Sequence, residues 1–238
     1  MTDTARSKQL RPDALEERRM LAALASGGTS TANVHLALLS RAQDIGLSGE
    51  VLDFGAGTGD LTARLAGSGL ILRLTAIDLL PPPSAKGQGV TWLEADLNGP
   101  APLPAESFDA IVSAEVIEHL ENPRAVFREF NRLLRPRGHL LLTTPNQESL
   151  RSLASLALRG HFVDFLDSSY PAHITALVRR DFVRIAAETG FEAPTFSYTA
   201  TGAVPGLPRF SWQDLSFGRL RGRRFSDNLV VATRKITA

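Results

Sequence analysis

No cysteine occurs among the 238 residues, which excludes disulfides, thiolate metal sites and a cysteine nucleophile and fits a reducing compartment. A charge excess of either sign is also lacking: 26 Lys and Arg stand against 25 Asp and Glu, a net charge of +1. No overall field exists to hold a nucleic-acid backbone or an acidic membrane. Nor is there a long apolar run. The longest stretch without a charged residue, Met20 to Ser40, is broken by Ser26-Gly27-Gly28-Thr29-Ser30-Thr31 and cannot span a bilayer. Met1 to Arg6 lack the apolar core of a secretion signal, and the expected location is cytoplasmic. The charge asymmetry lies late in the chain, where residues 198–238 carry +5 and leave −4 on the rest.

What is present has the proportions of a globular protein, 43% hydrophobic and 21% charged. Residues 1–48 read as an N-terminal helical cap. Pro12-Asp13 suits a helix start, Leu15, Met20, Leu21 and Leu24 recur at helical spacing, and a second helix follows Thr31 through Val34, Leu38 and Leu39 to Gly46. From Glu50, short apolar runs alternate with helical stretches. Strands are predicted at Val51–Phe54, Leu72–Ile77, Val90–Glu94, Ala110–Ser113, Leu140–Thr143 and Leu229–Thr233. Helices are predicted at Asp60–Leu65, Pro123–Leu134 and Arg180–Thr189, the last preceding an apolar run, Phe191–Phe196. This alternation makes residues 49–238 one α/β domain, an open, mostly parallel sheet with helices on both faces. Pro81-Pro82-Pro83, Gly87 and Gly89 shorten one crossover to a loop. Residues 147–178 form an extra segment after the fifth strand, where loops surround the ligand crevice of such sheets. The segment is a candidate substrate lid, and its Phe162, Phe165, Leu166 and Tyr170 suit either an apolar lining or, equally, a plain hydrophobic contact under a loop.

The strongest motif is Asp53-Phe54-Gly55-Ala56-Gly57-Thr58-Gly59-Asp60, a strand running through three alternate glycines into a helix. Glycines let the backbone turn sharply and approach a ligand closely. A dinucleotide fingerprint wants a third glycine where Asp60 stands, because the pyrophosphate rests on the helix N-terminus. A carboxylate there repels phosphate, and Asp53 adds a second negative charge. Together they suit a cationic ligand without phosphate, such as S-adenosylmethionine. Asp78 ends the second strand and suits ribose hydroxyls, as it would for NAD as well. Asp96 ends the third strand and suits an adenine amino group.

Together with Ala76-Ile77-Asp78, Glu94-Ala95-Asp96, Phe108-Asp109-Ala110-Ile111-Val112-Ser113-Ala114-Glu115-Val116-Ile117-Glu118-His119, Leu134-Arg135-Pro136-Arg137-Gly138-His139-Leu140, Thr144-Pro145-Asn146 and Gly190-Phe191-Glu192, the turn resembles the class I S-adenosylmethionine-dependent methyltransferases. The resemblance is to the small-molecule branch with ubiquinone-biosynthesis-type O-methyltransferases and covers roughly Glu50 to Pro194. It implies a Rossmann-like, seven-stranded sheet with an antiparallel last strand. It also implies cofactor contacts at Asp53, Gly55, Ala56, Gly57, Gly59, Asp78, Leu79, Asp96, Leu97 and Ala114. Pro81–Pro83 and the Arg-rich stretch before Leu229 depart from the pattern.

If Glu115-Val116-Ile117-Glu118-His119 turns helically, Glu115, Glu118 and His119 share a face. Such a cluster suits Mg²⁺ or Mn²⁺, with His173 or His161 completing it, and resembles the metal site of small-RNA 3′-terminal 2′-O-methyltransferases. Two other readings stand beside it: His119, with Glu115, as a metal-free catalytic pair, and a plain helix start. His35 and His139 read as structural. The expected reaction is methyl transfer to a small-molecule acceptor, first of all a hydroxyl oxygen. N- or C-methylation, RNA 2′-O-methylation and non-catalytic binding of S-adenosylmethionine are the alternatives. An oxidoreductase is disfavoured by Asp60. Arg219, Arg221, Arg223 and Arg224 read as a solvated surface that leaves room for an anionic group or a peripheral membrane contact but, at near-zero net charge, argues little for RNA.

Overall fold

The computed structural model describes residues 12–83 and 89–237. Residues 1–11 of the expected cap, and Gly87, lie outside the described residues. The elements are α1 (Pro12–Ser26), α2 (Ala32–Asp44), β1 (Gly49–Phe54), α3 (Asp60–Ala66), β2 (Ile71–Asp78), β3 (Val90–Glu94), β4 (Phe108–Ala114), α4 (Pro123–Leu133), β5 (Leu134–Pro145), α5 (Leu150–Arg159), α6 (Arg179–Glu188), β6 (Thr195–Tyr198), β7 (Ala203–Val204), β8 (Leu207–Ser211), α7 (Trp212–Leu215) and β9 (Asn228–Arg234).

Seven strands form one sheet in the order β3-β2-β1-β4-β5-β9-β6, parallel from β3 through β5. The last strand, β9, runs antiparallel to both neighbours. The Rossmann-like, seven-stranded arrangement that the motifs imply is the observed one. Order reverses between β1 and β4, so a crevice opens beyond the carboxyl ends of these strands. Because β9 runs the other way, its first residues lie at that same end, with Asn228 opposite Pro145.

Strand alternation divides the core in two. Leu52, Phe54, Ile111, Leu140, Leu142, Leu229 and Val231 pack with Phe127, Phe130 and Phe182 of α4 and α6. Val51, Ala110, Val112, Leu141 and Val230 pack with Val34, Leu38 and Leu65 of α2 and α3. Helix α4 shows the local logic: the Asn122 side chain caps it by accepting from Ala125 N at 3.1 Å, Pro123 opens it, and Val126, Phe127, Phe130 and Leu133 recur on its buried face.

Three details differ from the sequence reading. The run Phe191–Phe196 is a strand only from Thr195, with Phe191 bridging Lys235 alone, since Pro194 cannot donate to a ladder. A small hairpin, β7–β8, and the one-turn helix α7 occupy the Arg-rich stretch. There, Arg223 and Arg179 both pair with Glu148, at 2.5 and 2.6 Å, and Arg224 donates to the Glu148 carbonyl. The expected solvated surface is therefore partly a clamp on the start of α5. Among the described residues no helix is long and apolar enough to cross a membrane.

Candidate active site

The glycine turn leaves β1 and enters α3 through three left-handed residues, with φ of 83° at Gly55, 51° at Gly57 and 85° at Gly59. Gly55 and Ala56 donate to the Ile77 carbonyl at 2.9 and 3.1 Å, and Gly57 donates to Asp78 Oδ2 at 2.7 Å. A Cβ on Gly57 would run into the Gly28 carbonyl oxygen, which accepts from Thr58 N at 2.9 Å. The turn is thus clasped to the α1–α2 joint, and the helical cap forms a wall of the resulting cavity of about 450 Å³.

Gly55, Ala56, Gly57, Asp78, Leu79, Asp96, Leu97 and Ala114 all line this cavity. Asp53 and Gly59 are not on the wall. Asp53 points into the core behind the turn, where it accepts from Thr62 Oγ1 at 2.6 Å while its Oδ1 is buried without a partner. Gly59 instead backs onto the Trp92 ring. Burial pushes the Asp53 carboxyl up to about 7, from an ordinary 3.8. The folded state therefore holds this proton more tightly than the unfolded one. Its contribution to stability is complete below pH 3.8 and is lost as pH rises through 7. Between pH 5 and 8 the loss amounts to about 2–3 kcal/mol. Asp53→Asn is expected to remove that part of the pH dependence, measured as denaturant midpoints of both proteins across this range.

Asp78 spans the turn: Oδ2 takes Gly57 N and Oδ1 takes Leu80 N at 2.8 Å. Burial raises its pKa, opposed by these N–H groups. Asp96 pairs with Arg19 of α1 at 2.6 Å, and Arg19 also forks onto Glu121, at 2.7 and 3.0 Å. The sequence reading missed Arg19, since one arginine on an amphipathic helix carries no signal of its destination. It also missed that His35, with Ser30 Oγ 2.6 Å from its Nε2, lines the cavity.

The Glu–Glu–His stretch is not an α-helix. Glu115 takes φ 54°, and a single 3₁₀ turn spans Ile117–His119. The expected shared face therefore does not form: Glu115 turns toward β9, where its Oε2 accepts from Asn228 Nδ2 at 2.7 Å. Glu118, His119 and His173 do converge, each bringing one ligating atom within 4.8 Å of the others. The backbone enforces this, because Ile174 and Thr175 both donate to the Glu118 carbonyl, at 3.0 and 2.9 Å. His161 is not part of the group.

Their chemistry suits a divalent cation. Glu118 is fully buried, with Oε2 accepting from Thr144 Oγ1 at 3.2 Å and Oε1 without a partner. His119 Nδ1 meets the Ala172 carbonyl at 2.8 Å, and His173 Nδ1 meets the Asp164 carbonyl. Both rings thus anchor Nδ1–H on a backbone carbonyl, the kind of hold that orients ligating histidines. Burial, with His173 alongside, pushes His119 down to about 4, so the free imidazole is neutral at pH 7 and weaker as a base than its unperturbed pKa suggests. Burial likewise raises Glu118 well above the usual carboxylate range, with Glu115 adding to the effect, and takes Glu115 to about 7.

Of the two readings of Phe162, Phe165, Leu166 and Tyr170, the apolar lining does not appear: they line neither this cavity nor its neighbour. Phe165 packs on His173, and Tyr170 meets Arg18. The extra segment instead supplies Pro171, His173 and Ile174 to the cavity.

Residues 22–194 match the family described as "Methyltransferase domain". The chain belongs to that family. Among its relatives, this methyltransferase domain is 37% identical over 128 residues to an uncharacterized methyltransferase of Mycobacterium tuberculosis, covering 51% of this chain and 63% of the relative. It is 32% identical over 160 residues to the ubiquinone biosynthesis O-methyltransferase of Xanthomonas oryzae pv. oryzae, covering 59% and 64%. The methyltransferase domain thus spans under two thirds of the length of these curated relatives. Its fold is shared with a 1,6-didemethyltoxoflavin-N1-methyltransferase of Burkholderia thailandensis, solved with its substrate and S-adenosylhomocysteine, at a TM-score of 0.60 and 18% identity over 98% of this chain and 93% of that one. A S-adenosylmethionine-dependent methyltransferase of Archaeoglobus fulgidus gives 0.58 at 15% identity over 84% and 94%.

Proposed function

We propose that the methyltransferase domain transfers a methyl group from S-adenosylmethionine to a hydroxyl oxygen of a small molecule, assisted by a divalent cation at Glu118, His119 and His173. The observation that carries the reading is the juxtaposition of an acid-lined glycine-turn cavity with this triad on its wall. Asp60, at the N-terminus of α3 and on the wall, disfavours a pyrophosphate and suits a donor with an ammonium and a sulfonium. The ubiquinone-biosynthesis relative, by its name, also methylates oxygen.

When bound, the donor supplies an activated methyl: the acceptor oxygen forms the C–O bond as the S–C bond breaks, the electron pair returns to sulfur and the hydroxyl proton leaves to solvent. A cation supplies a Lewis acid that lowers the pKa of the acceptor hydroxyl. Gly55–Gly57 admit the donor against bare backbone, Asp78 offers its remaining lone pairs to hydroxyls, and Asp96, held by Arg19, faces the far end of the cavity. Glu118, His119 and His173 would hold the cation. The residues thereby mainly align the reacting atoms, an effect worth roughly 7–11 kcal/mol in well-oriented systems.

The test combines calorimetry with S-adenosylmethionine and NADH, and mass spectrometry of products with a hydroxyl panel before and after EDTA. Binding of the first ligand, turnover lost on chelation and restored by Mn²⁺ or Mg²⁺ are expected. Turnover indifferent to EDTA removes the cation from the reading, and binding of NADH alone overturns the donor.

A further inference from the structure

A second cavity of about 590 Å³ adjoins the donor cavity, with Thr31, Glu115, His173 and Asn228 lining both. It falls within the size range of small-ligand sites. Its chemistry is unusual for an acceptor pocket. Only Ala32 and Pro145 among its eleven lining residues have apolar side chains, and the His173 imidazole is its single ring. Most ligand pockets are predominantly apolar.

The polar groups differ in how far they are satisfied. Arg151 stands 3.6 Å from Asp227, too far for a hydrogen bond, so its guanidinium retains free N–H groups. Asp227 Oδ2 accepts from Ala203 N at 3.0 Å, and Asn33 donates to Thr201. Glu115 Oε1 is buried without a partner. The Asp164 carbonyl is taken by His173, while its carboxylate has no hydrogen-bond partner among the described residues. The wall therefore offers acceptors at Glu115 and Asp164 and donors at Arg151 and Asn33.

A flat aromatic acceptor seated here would strip water from all four groups and answer them only with the one or two hydroxyls on its rim. An ammonium would satisfy the carboxylates but face Arg151 as a like charge. A hydroxyl both donates and accepts, and is the group that answers carboxylate, guanidinium and amide together. From this, and resting on the methyl-transfer reading above, we infer that the second cavity is the acceptor site and that it takes a saturated polyol, of the size and character of a sugar ring, rather than a quinol or phenol. His173, shared by both cavities, places the triad at their junction, where a cation held by it would be within reach of a polyol hydroxyl.

The experiment uses the full chain. Calorimetry first establishes binding of S-adenosylhomocysteine, and ligand-observed NMR then screens the loaded protein against myo-inositol, glucose, galactose and ribose beside phenol, catechol and 2-naphthol. At least one polyol is expected to bind about tenfold more tightly than any aromatic. Asp164→Asn and Arg151→Met are each expected to weaken it about tenfold while retaining S-adenosylhomocysteine affinity, which guards against misfolding as the cause. Failure of every polyol to bind, or an aromatic binding as well as the best polyol, overturns the acceptor assignment and leaves the methyl-transfer reading standing. Failure to bind S-adenosylhomocysteine overturns both.

Discussion

Gly57→Ala is expected to lower affinity for S-adenosylmethionine at least 100-fold, and Gly46→Ala to leave it unchanged. The pair separates two effects of one methyl group. Both glycines are left-handed, at φ 51° and 65°, and a Cβ in that conformation costs roughly 1–2 kcal/mol. At Gly46 the added atom meets open space, with nothing within 4 Å. At Gly57 it meets the backbone oxygen of Gly28, which no rotamer change can move aside. Either the turn or the α1–α2 joint must give way. Both line the donor cavity, and the Thr58 N–H bond to Gly28 ties them together. Calorimetric titration and thermal melting of both variants check the expectation. Equal loss of binding in the two would mean that backbone strain alone, and not the clasp, controls the cavity.

His119→Ala should cut turnover by about 10²–10⁴-fold while changing donor affinity less than about threefold. The imidazole lies where the donor cavity meets the triad, with Nδ1 anchored to Ala172, so removal leaves the glycine turn and Asp78 untouched. Glu118→Gln supplies the complementary readout. Its carboxyl is fully buried beside another acid and half unsatisfied, an arrangement that costs folding stability. The amide keeps the shape and relieves that cost, so the melting temperature should hold or rise while turnover falls. Such a trade is the mark of a group retained for chemistry. A fall in stability and donor binding parallel to the loss of turnover would assign both residues to structure.

Much of this was legible in the sequence because the signals were local. The Gly55-x-Gly57-x-Gly59 turn, and Asp78 and Asp96 at strand ends, follow from period-two strands interrupted by residues with a backbone role. The sheet itself follows from strands alternating with helices. What stayed hidden depends on tertiary direction. Glu115 faces Asn228 rather than Glu118 because one left-handed residue breaks a helical register that the spacing suggested. Asn228 and Asp227 reach the site only because the last strand is reversed, although polar residues at the start of an apolar antiparallel strand were a usable hint. Phe165 and Tyr170 of the 147–178 segment pack on the segment's own histidine and on α1, a contact that composition could not tell from a pocket lining.

The reversal of β9 has a wider consequence. Tyr198 and Leu229 are paired in the sheet, and just beyond them Thr199 and Asn228 are joined by two hydrogen bonds of 3.2 Å, Thr199 N to the Asn228 carbonyl and Asn228 N to Thr199 Oγ1. Residues 200–227 are therefore an excursion stitched shut at its base. A change of length in the β7–β8 turn would leave the pairing of β6 with β9 below the stitch in register, while Thr201 and Asp227, beside the stitch, keep their places on the second cavity.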